Sequence, residues 1–265
     1  MQGSLCLLLA LMPFAMPALP FVVSPGSWSS REIPSNNREA RLAARLALTY
    51  LNYLSGSPHQ LLEVVDVKKA VLKSVPEIGN KYYVEFTARV SQTMENIGLC
   101  TATVFFQQEK PRPAINVNCS SNKIQKQARD EDYNFYKLMK EQTIPITGGH
   151  IPDSFGYIDP QFEPVWNLAI LGSSYLIWEK TTENREYSMA QIRSVKQLIR
   201  KDDLIAFDYD IDLHERPSEE MVPCSLHVVW MSGKSPKVDY TCTENSENGS
   251  GNKSEEGSAF LGNFK

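Results

Sequence analysis

The feature that most constrains this chain is a repeated pair of cysteines. Cys100 to Cys119 reads CTATVFFQQEKPRPAINVNC, and Cys224 to Cys242 reads CSLHVVWMSGKSPKVDYTC. Each segment opens with Cys and an apolar strand pattern, led by Val104, Phe105 and Phe106 or by Val228, Val229 and Trp230. Each then has a Lys/Pro turn, a second short strand and a closing Cys. That is a β-hairpin with a cysteine near each open end. Four cysteines permit three connectivities, and opposed strand ends select Cys100 with Cys119 and Cys224 with Cys242. Closing each loop stabilises its hairpin by roughly 3 kcal/mol on a chain-entropy estimate. A zinc site is excluded: there is no C-x-x-C and no His pair at ligand spacing.

The repeat extends upstream of both hairpins. Asn37 to Leu54 places Leu42, Leu46, Tyr50 and Leu54 at i, i+4 spacing, which predicts an amphipathic helix. Asn36 or Asn37 can cap it, and Gly56 with Pro58 ends it. Leu61–Val75 and Lys81–Val90 read as a strand pair of period two. The second copy has a more apolar helix, Val165–Trp178, then strands over Met189–Arg200 and Leu204–His214. Each unit therefore reads as one helix and four strands, an α+β arrangement in which a four-stranded antiparallel sheet wraps one helix. Ile124–Lys140, with Ile124, Ala128, Phe135 and Met139 on one stripe, is the expected linking helix. The expected organisation is a leader at 1–26, units at 36–120 and 150–243, a link at 121–145 and a disordered polar tail at 244–265.

The first charged side chain is Arg31, and an apolar run from Leu5 to Met12 precedes small residues, which reads as a secretory signal. The membrane is a partner only if that segment is retained. Secretion agrees with an even number of cysteines downstream of Cys6. Sequons at Asn118, Asn248 and Asn252 are candidate glycosylation sites. A formal net charge of −4 excludes a global basic field for nucleic acid.

No nucleophile elbow, phosphate loop, dinucleotide fingerprint or H-E-x-x-H occurs. Asp130, Glu131 and Asp132 are expected on a charged helix face. Asp208, Asp210 and Asp212 alternate along a strand and share its solvent face. Lys68, Lys69, Lys123, Lys126 and Arg129 read as a solvated basic face. The expectation is a binding protein: no enzyme, no cofactor and no resident metal.

A helix wrapped by such a sheet resembles the cystatin fold, and two such units joined by a helix resemble the latexin family. The matching stretches are LNYLSGSPH (Leu51–His59), DEDYNFY (Asp130–Tyr136), IPDSFGYIDP (Ile151–Pro160), LGSSYLIWE (Leu171–Glu179), RKDDLIAFDYDIDLHE (Arg200–Glu215) and EEMVPC (Glu219–Cys224). The leader and four cysteines are more like its secreted, matrix-associated branch. The resemblance implies two tandem cystatin-like subdomains and inhibition of zinc metallocarboxypeptidases of the A/B type. The second unit would plug the enzyme's funnel with His214, Glu215, Arg216, Pro217, Ser218, Glu219 and Glu220. Glu219 stands where the family pattern has Gln: a carboxylate there could ligate the enzyme's zinc or be repelled by its catalytic carboxylate. The Q-x-V-x-G hairpin of cysteine-protease inhibitors is absent. The alternative is a non-inhibitory extracellular-matrix or eggshell-type interaction protein on the same scaffold.

Overall fold

The computed structural model describes residues 29–121 and 125–243. The apolar leader, Lys123, Ile124, the tail and the sequons at Asn248 and Asn252 lie outside the described residues. The elements of the first unit are β1 (Ser29–Ile33), α1 (Arg38–Ser55), β2 (Leu62–Val75), β3 (Gly79–Val90), β4 (Asn96–Gln107) and β5 (Ala114–Cys119). Next comes α2 (Lys126–Glu141). The second unit has β6 (Thr147–Ile151), α3 (Glu163–Lys180), β7 (Glu186–Leu198), β8 (Ile205–Arg216), β9 (Met221–Trp230) and β10 (Lys237–Cys242). The sheets run in order β1-β2-β3-β4-β5 and β10-β9-β8-β7-β6, antiparallel throughout. This is the expected α+β, cystatin-like plan in two copies.

Each sheet has five strands where the sequence led to four. The additions, β1 and β6, are short edge strands. Polar SSREI and glycine-bearing TGGHI have none of the β-branched alternation that marks a strand. The glycines of β6 answer to packing. A Cβ on Gly148 would sit 2.8 Å from the Phe162 ring, and one on Gly149 would sit 2.5 Å from the Arg193 carbonyl oxygen.

Asn37 caps α1, its side chain accepting from the amides of Glu39 (2.8 Å) and Ala40 (3.4 Å). Gly56 closes the helix in the left-handed region at φ 67°. Leu42 and Leu46 are buried as the stripe requires, but Leu54 is exposed. Ala40, Ala43, Ala44 and Ala47 are buried as well. The small side chains let α1 lie close to its sheet while its other side meets α3, so burial is wider than one stripe. The same contact explains why α3 is apolar almost all round: its own sheet covers one face and α1 the other. Its buried Ser173 and Ser174 hydroxyls donate to the Ile170 carbonyl (3.0 and 2.8 Å).

Both expected disulfides are formed between directly opposed residues. The linking helix packs against both units. Phe135 stacks obliquely on Trp230 at 6.0 Å, and Tyr136 donates to the Asp203 carbonyl at 2.7 Å. Asp132 departs from expectation. It is buried, not on the charged face, and its Oδ1 accepts from the backbone N–H of His59 (3.2 Å) and lies 2.8 Å from His59 Nδ1. A carboxylate three residues from Phe135 on a helix shares its face, and an imidazole of the first unit meets it there.

Aromatic and ionic contacts join the units. Trp178 of α3 lies against Tyr50 (4.7 Å) and Tyr53 (6.3 Å) of α1, and its indole donates to the Pro113 carbonyl (3.1 Å). Glu179 accepts from Arg112, Tyr175 and Tyr240. Glu183 reaches across to Asn80 and the Tyr82 hydroxyl, and Arg45 makes a two-pronged pair with Glu186. Trp230, in β9, donates to the Gly56 carbonyl at 2.9 Å.

Two outcomes follow from this interface. Trp230→Phe removes a donor from a buried carbonyl and leaves a void, costing about 2–4 kcal/mol in urea-unfolding free energy. The Tyr175 hydroxyl is pushed up to about 12 from its ordinary value of 10.0, by burial first and then by Glu179. Above pH 10 the unfolded state therefore loses a proton that the folded state keeps. This contribution is complete below 10 and is lost as pH rises to about 12. The thermal midpoint should fall over that window, and Tyr175→Phe should make the fall shallower.

Candidate functional site

The alternation of β8 builds the site. Phe207, Tyr209, Ile211 and Leu213 point into the core, which turns Asp208, Asp210, Asp212 and His214 outward. The three aspartates occupy the solvent face as expected, each with a partner. Asp208 meets His227 Nδ1 (2.7 Å), Asp210 accepts from Ser194 and Ser225 (2.7 Å each), and Asp212 pairs with Arg193 (3.2 Å). Those serine hydrogen bonds hold the Asp210 carboxyl below the usual carboxylate range. The row is a structural ladder across β7, β8 and β9. Among the described residues no group of three His, Cys, Asp or Glu could hold a metal ion.

Beyond His214 the strand turns over. The Glu215 N–H donates to the Glu220 carbonyl and the Glu219 N–H to the Glu215 carbonyl, both at 2.9 Å. Pro217 and Ser218 occupy the bend, which suits their turn chemistry, and the Ser218 hydroxyl accepts from the Glu220 N–H at 3.3 Å. Glu219 lies at φ 60°, a left-handed conformation that costs a non-glycine residue roughly 1 kcal/mol. Every residue from Arg216 to Met221 is exposed.

The two glutamates at the ends of this turn have different roles. Glu215 is largely covered, with 12 % of its side chain exposed. It accepts from the Tyr187 hydroxyl (3.0 Å) and pairs with Arg185 (3.6 Å), both in or just before β7. Burial, then the hydrogen bond to Glu215, pushes the Tyr187 hydroxyl up to about 12 from its ordinary value of 10.0, so it stays a donor into alkaline solution. Glu219 is 70 % exposed, and its carboxylate lies 2.7 Å from His214 Nε2. Of the seven residues singled out in the sequence, the structure thus joins His214 with Glu219, anchors Glu215 in the sheet and exposes Arg216, Pro217, Ser218 and Glu220. The His214–Glu219 pair is not legible in the sequence, because a five-residue separation becomes a contact only once the turn is closed. Tyr187 and Arg185 are missed by sequence reasoning for a similar cause: only the β7–β8 register brings them to Glu215.

The first unit contains the same turn. The Val90 N–H donates to the Glu95 carbonyl, and the Met94 N–H to the Val90 carbonyl, at 2.8 Å each. Met94 lies at φ 61°. Val90, Met94 and Glu95 thus repeat Glu215, Glu219 and Glu220. The copies differ in what they are tied to. Gln92 Nε2 donates to the Pro58 carbonyl (3.0 Å), and its Oε1 accepts from the Leu61 N–H (3.2 Å), tethering the first turn to the chain between α1 and β2. The second turn has Pro217 in the corresponding place, where no such tether can form. Of the two turns, the second projects from a braced root.

The remaining candidates lie elsewhere. Asn118 is exposed on β5, next to the buried, disulfide-bonded Cys119. Lys68 pairs with Asp66. The disulfide of Cys224 and Cys242 braces the strand that follows the second turn.

A sequence profile described as Latexin matches residues 33–248. Human retinoic acid receptor responder protein 1 is 41 % identical over 226 residues, 83 % of this chain and 77 % of that protein. Chicken ovocalyxin-32 is 39 % identical over 257 residues, 96 % and 92 % of the two chains. Human latexin is 36 % identical over 211 residues, 79 % and 95 % respectively. Among solved structures, mouse fetuin-B aligns at 12 % identity over 83 % of this chain and 72 % of that chain, with a TM-score of 0.26.

The bracing predicts a measurable effect. Tyr187→Phe keeps the ring and removes one hydrogen bond to Glu215, lowering stability by about 1 kcal/mol. Hydrogen exchange should quicken at the amides of Glu215 and Glu219, while those of Val90 and Met94 keep their rates.

Proposed function

Because the chain belongs to the latexin family, we propose that it inhibits zinc metallocarboxypeptidases of the A/B type by inserting the β8–β9 turn into the enzyme's active-site mouth. One observation carries this reading. Of two turns with the same backbone hydrogen bonds, only the second combines a projecting, fully exposed apex with a root held by Tyr187 and Arg185. A turn held in shape before contact loses less conformational freedom on docking than a mobile loop does. Ser218 and Glu219 are the apex groups that enter furthest, Glu215 holds the root, and Arg216 and Glu220 face the rim of the mouth.

The carboxylate at position 219 is compatible with this role. An unpaired carboxylate is costly to desolvate, whereas Glu219 brings His214 with it at 2.7 Å. That contact meets part of the cost of covering the carboxylate when the turn docks. Two disulfides suit an oxidising compartment, so we place the protein outside the cell. Among the described residues no helix is long and apolar enough to cross a membrane.

The test is residual carboxypeptidase A activity against rising concentrations of the purified protein, with Glu219→Gln and Ser218→Trp in parallel. The wild type should inhibit at near-stoichiometric amounts, and the bulky Ser218→Trp should raise the inhibition constant at least about 100-fold. Inhibition by Glu219→Gln alone would mean that the scaffold is retained and the carboxylate switches it off. Silence from both would sink the inhibitor reading and leave a matrix-type interaction scaffold.

A further inference from the structure

The open end of the first hairpin holds the sequon Asn118-Cys119-Ser120. Its outer members are those of an N-linked glycan acceptor, an asparagine and a hydroxyl two residues on. Between them stands Cys119, 4 % exposed and bonded to Cys100, which is 0 % exposed. Room for a glycan on the folded chain and the means to attach one there are separate physical matters, and here they diverge.

The folded chain has the room. Asn118 lies on β5, the edge strand of the first sheet, opposite Thr101 of β4. Its neighbours Val117 and Cys119 turn toward the core, so Asn118 turns outward. Thr101 shares that face and is exposed as well. Beside them lies an open hollow of about 350 Å³, lined in part by Thr101, Thr103, Asn116 and Tyr83. The Asn118 amide makes no hydrogen bond among the described residues, so a sugar carried on Nδ2 breaks no contact with them.

The same fold withholds the sequon from a transferring enzyme. An acceptor sequon is read as a stretch of loop, its amide and hydroxyl presented together. Here all three residues are committed. Asn118 and Cys119 are held in the ladder opposite Thr101 and Cys100. The Ser120 N–H donates to the Leu99 carbonyl (2.9 Å), and its hydroxyl accepts from the Leu99 N–H (3.1 Å) and donates to the Ile97 carbonyl (3.2 Å). Gly98 leaves the space for this: a Cβ there would lie 2.4 Å from the Ser120 hydroxyl oxygen. Thr243 holds the same post after the second hairpin, its N–H (3.0 Å) and hydroxyl (3.3 Å) both donating to the Pro223 carbonyl. In both copies the hydroxyl latches the end of the hairpin. Freeing the sequon means peeling β5 from β4, and the closed bridge makes that opened form roughly 100-fold rarer on a chain-entropy estimate.

We propose that Asn118 accepts an N-linked glycan only while Cys100 and Cys119 are still thiols, and that closure of their bridge ends its competence. Two reactions then compete for one stretch of chain. In the first, Asn118 Nδ2 attacks the anomeric carbon of a polyprenyl-pyrophosphate-linked oligosaccharide. The N–C bond forms, the bond from that carbon to the pyrophosphate oxygen breaks, and the amide proton passes to a base of the transferase. In the second, the two thiols give two protons and two electrons to a disulfide oxidant, which leaves as two thiols. The order matters in one direction. A glycan already in place leaves the bridge free to form, because Asn118 faces outward and the sulfurs face inward. A bridge already closed leaves the sequon latched. Each molecule is thus fixed as a glycosylated or a bare form, and only the first carries a shield beside the edge strand β5. The competition follows from the hairpin and is independent of protease binding.

The experiment is cell-free transfer by oligosaccharyltransferase from a polyprenyl-pyrophosphate oligosaccharide to the full chain made without glycan. Occupancy of Asn118 is read by peptide mass spectrometry. The acceptors are the oxidised wild type, the wild type held reduced by dithiothreitol, Cys100→Ser and Cys224→Ser. A short Asn-Ala-Thr peptide added to each sample reports the activity of the enzyme. Cys100→Ser keeps the whole sequon and removes only its bridge, and it need not fold to be read. The oxidised wild type should stay bare at Asn118, while the reduced wild type and Cys100→Ser should show several-fold higher occupancy. Cys224→Ser opens the other hairpin and should match the oxidised wild type. Equal occupancy in oxidised and reduced wild type, whether high or nil, would overturn the proposal. Equal gains in Cys100→Ser and Cys224→Ser would trace the effect to general loosening of the chain and overturn the part assigned to this bridge.

Discussion

The hydrogen bond from the Trp230 indole to the Gly56 carbonyl is the contact on which the arrangement of this molecule depends. Trp230 sits in the sheet of the second unit, stacks on Phe135 of the linking helix and satisfies a carbonyl at the end of the first unit's helix. Ser235 does the same for Leu54. Helix ends leave carbonyls without partners inside the helix, and here the neighbouring unit supplies the donors. Gly56 is required twice over. Its φ is positive, and a Cβ would lie 2.2 Å from the Lys234 carbonyl oxygen. The backbones of the two units meet where no side chain fits, so their relation is set by hydrogen bonds and ring packing at once.

That fixed relation lets the two copies diverge. Both carry the same disulfided hairpin and the same turn with one left-handed residue. In the first, Gln92 ties the turn to the chain between α1 and β2, although its apex from Thr93 to Asn96 is exposed. In the second, Pro217 removes that possibility, and Tyr187 with Arg185 holds the base while the apex stands free. One copy of a duplicated element thereby keeps the scaffold while the other is released for binding. The aspartate row on β8 belongs to the scaffold side of this division, since each carboxylate has a partner on a neighbouring strand.

Features that depend on near neighbours along the chain are legible in the amino-acid sequence: the Asn37 cap, the Gly56 stop, the two hairpins and their cysteine pairing. Their causes are local dihedral preferences and short loops. What stays hidden depends on cross-strand register or on packing between units. Strand β6 is hidden because its glycines make room for Phe162 and Arg193, which lie many residues away. Asp132 reads as surface charge until His59 is placed beside it. His214 and Glu219 each look ordinary, and only turn closure makes them a pair. The location of the candidate turn is legible through resemblance; the difference between it and its twin lies in the side-chain tethers, which the sequence does not show.

The hairpin placement of the disulfides bears on how the chain reaches its fold. Among the four bonded cysteines, each is joined to its nearest neighbour along the chain, across separations of 19 and 18 residues. Neither bond crosses between the units. A mispaired bridge between Cys119 and Cys224 would close a loop of roughly 105 residues, at an added entropic cost of about 1.5 kcal/mol over the native closures. Native pairing is therefore the statistically nearest outcome for an oxidising thiol, even before the sheets are complete. Each hairpin can be locked independently of the other, and neither bridge requires α1 to have met α3.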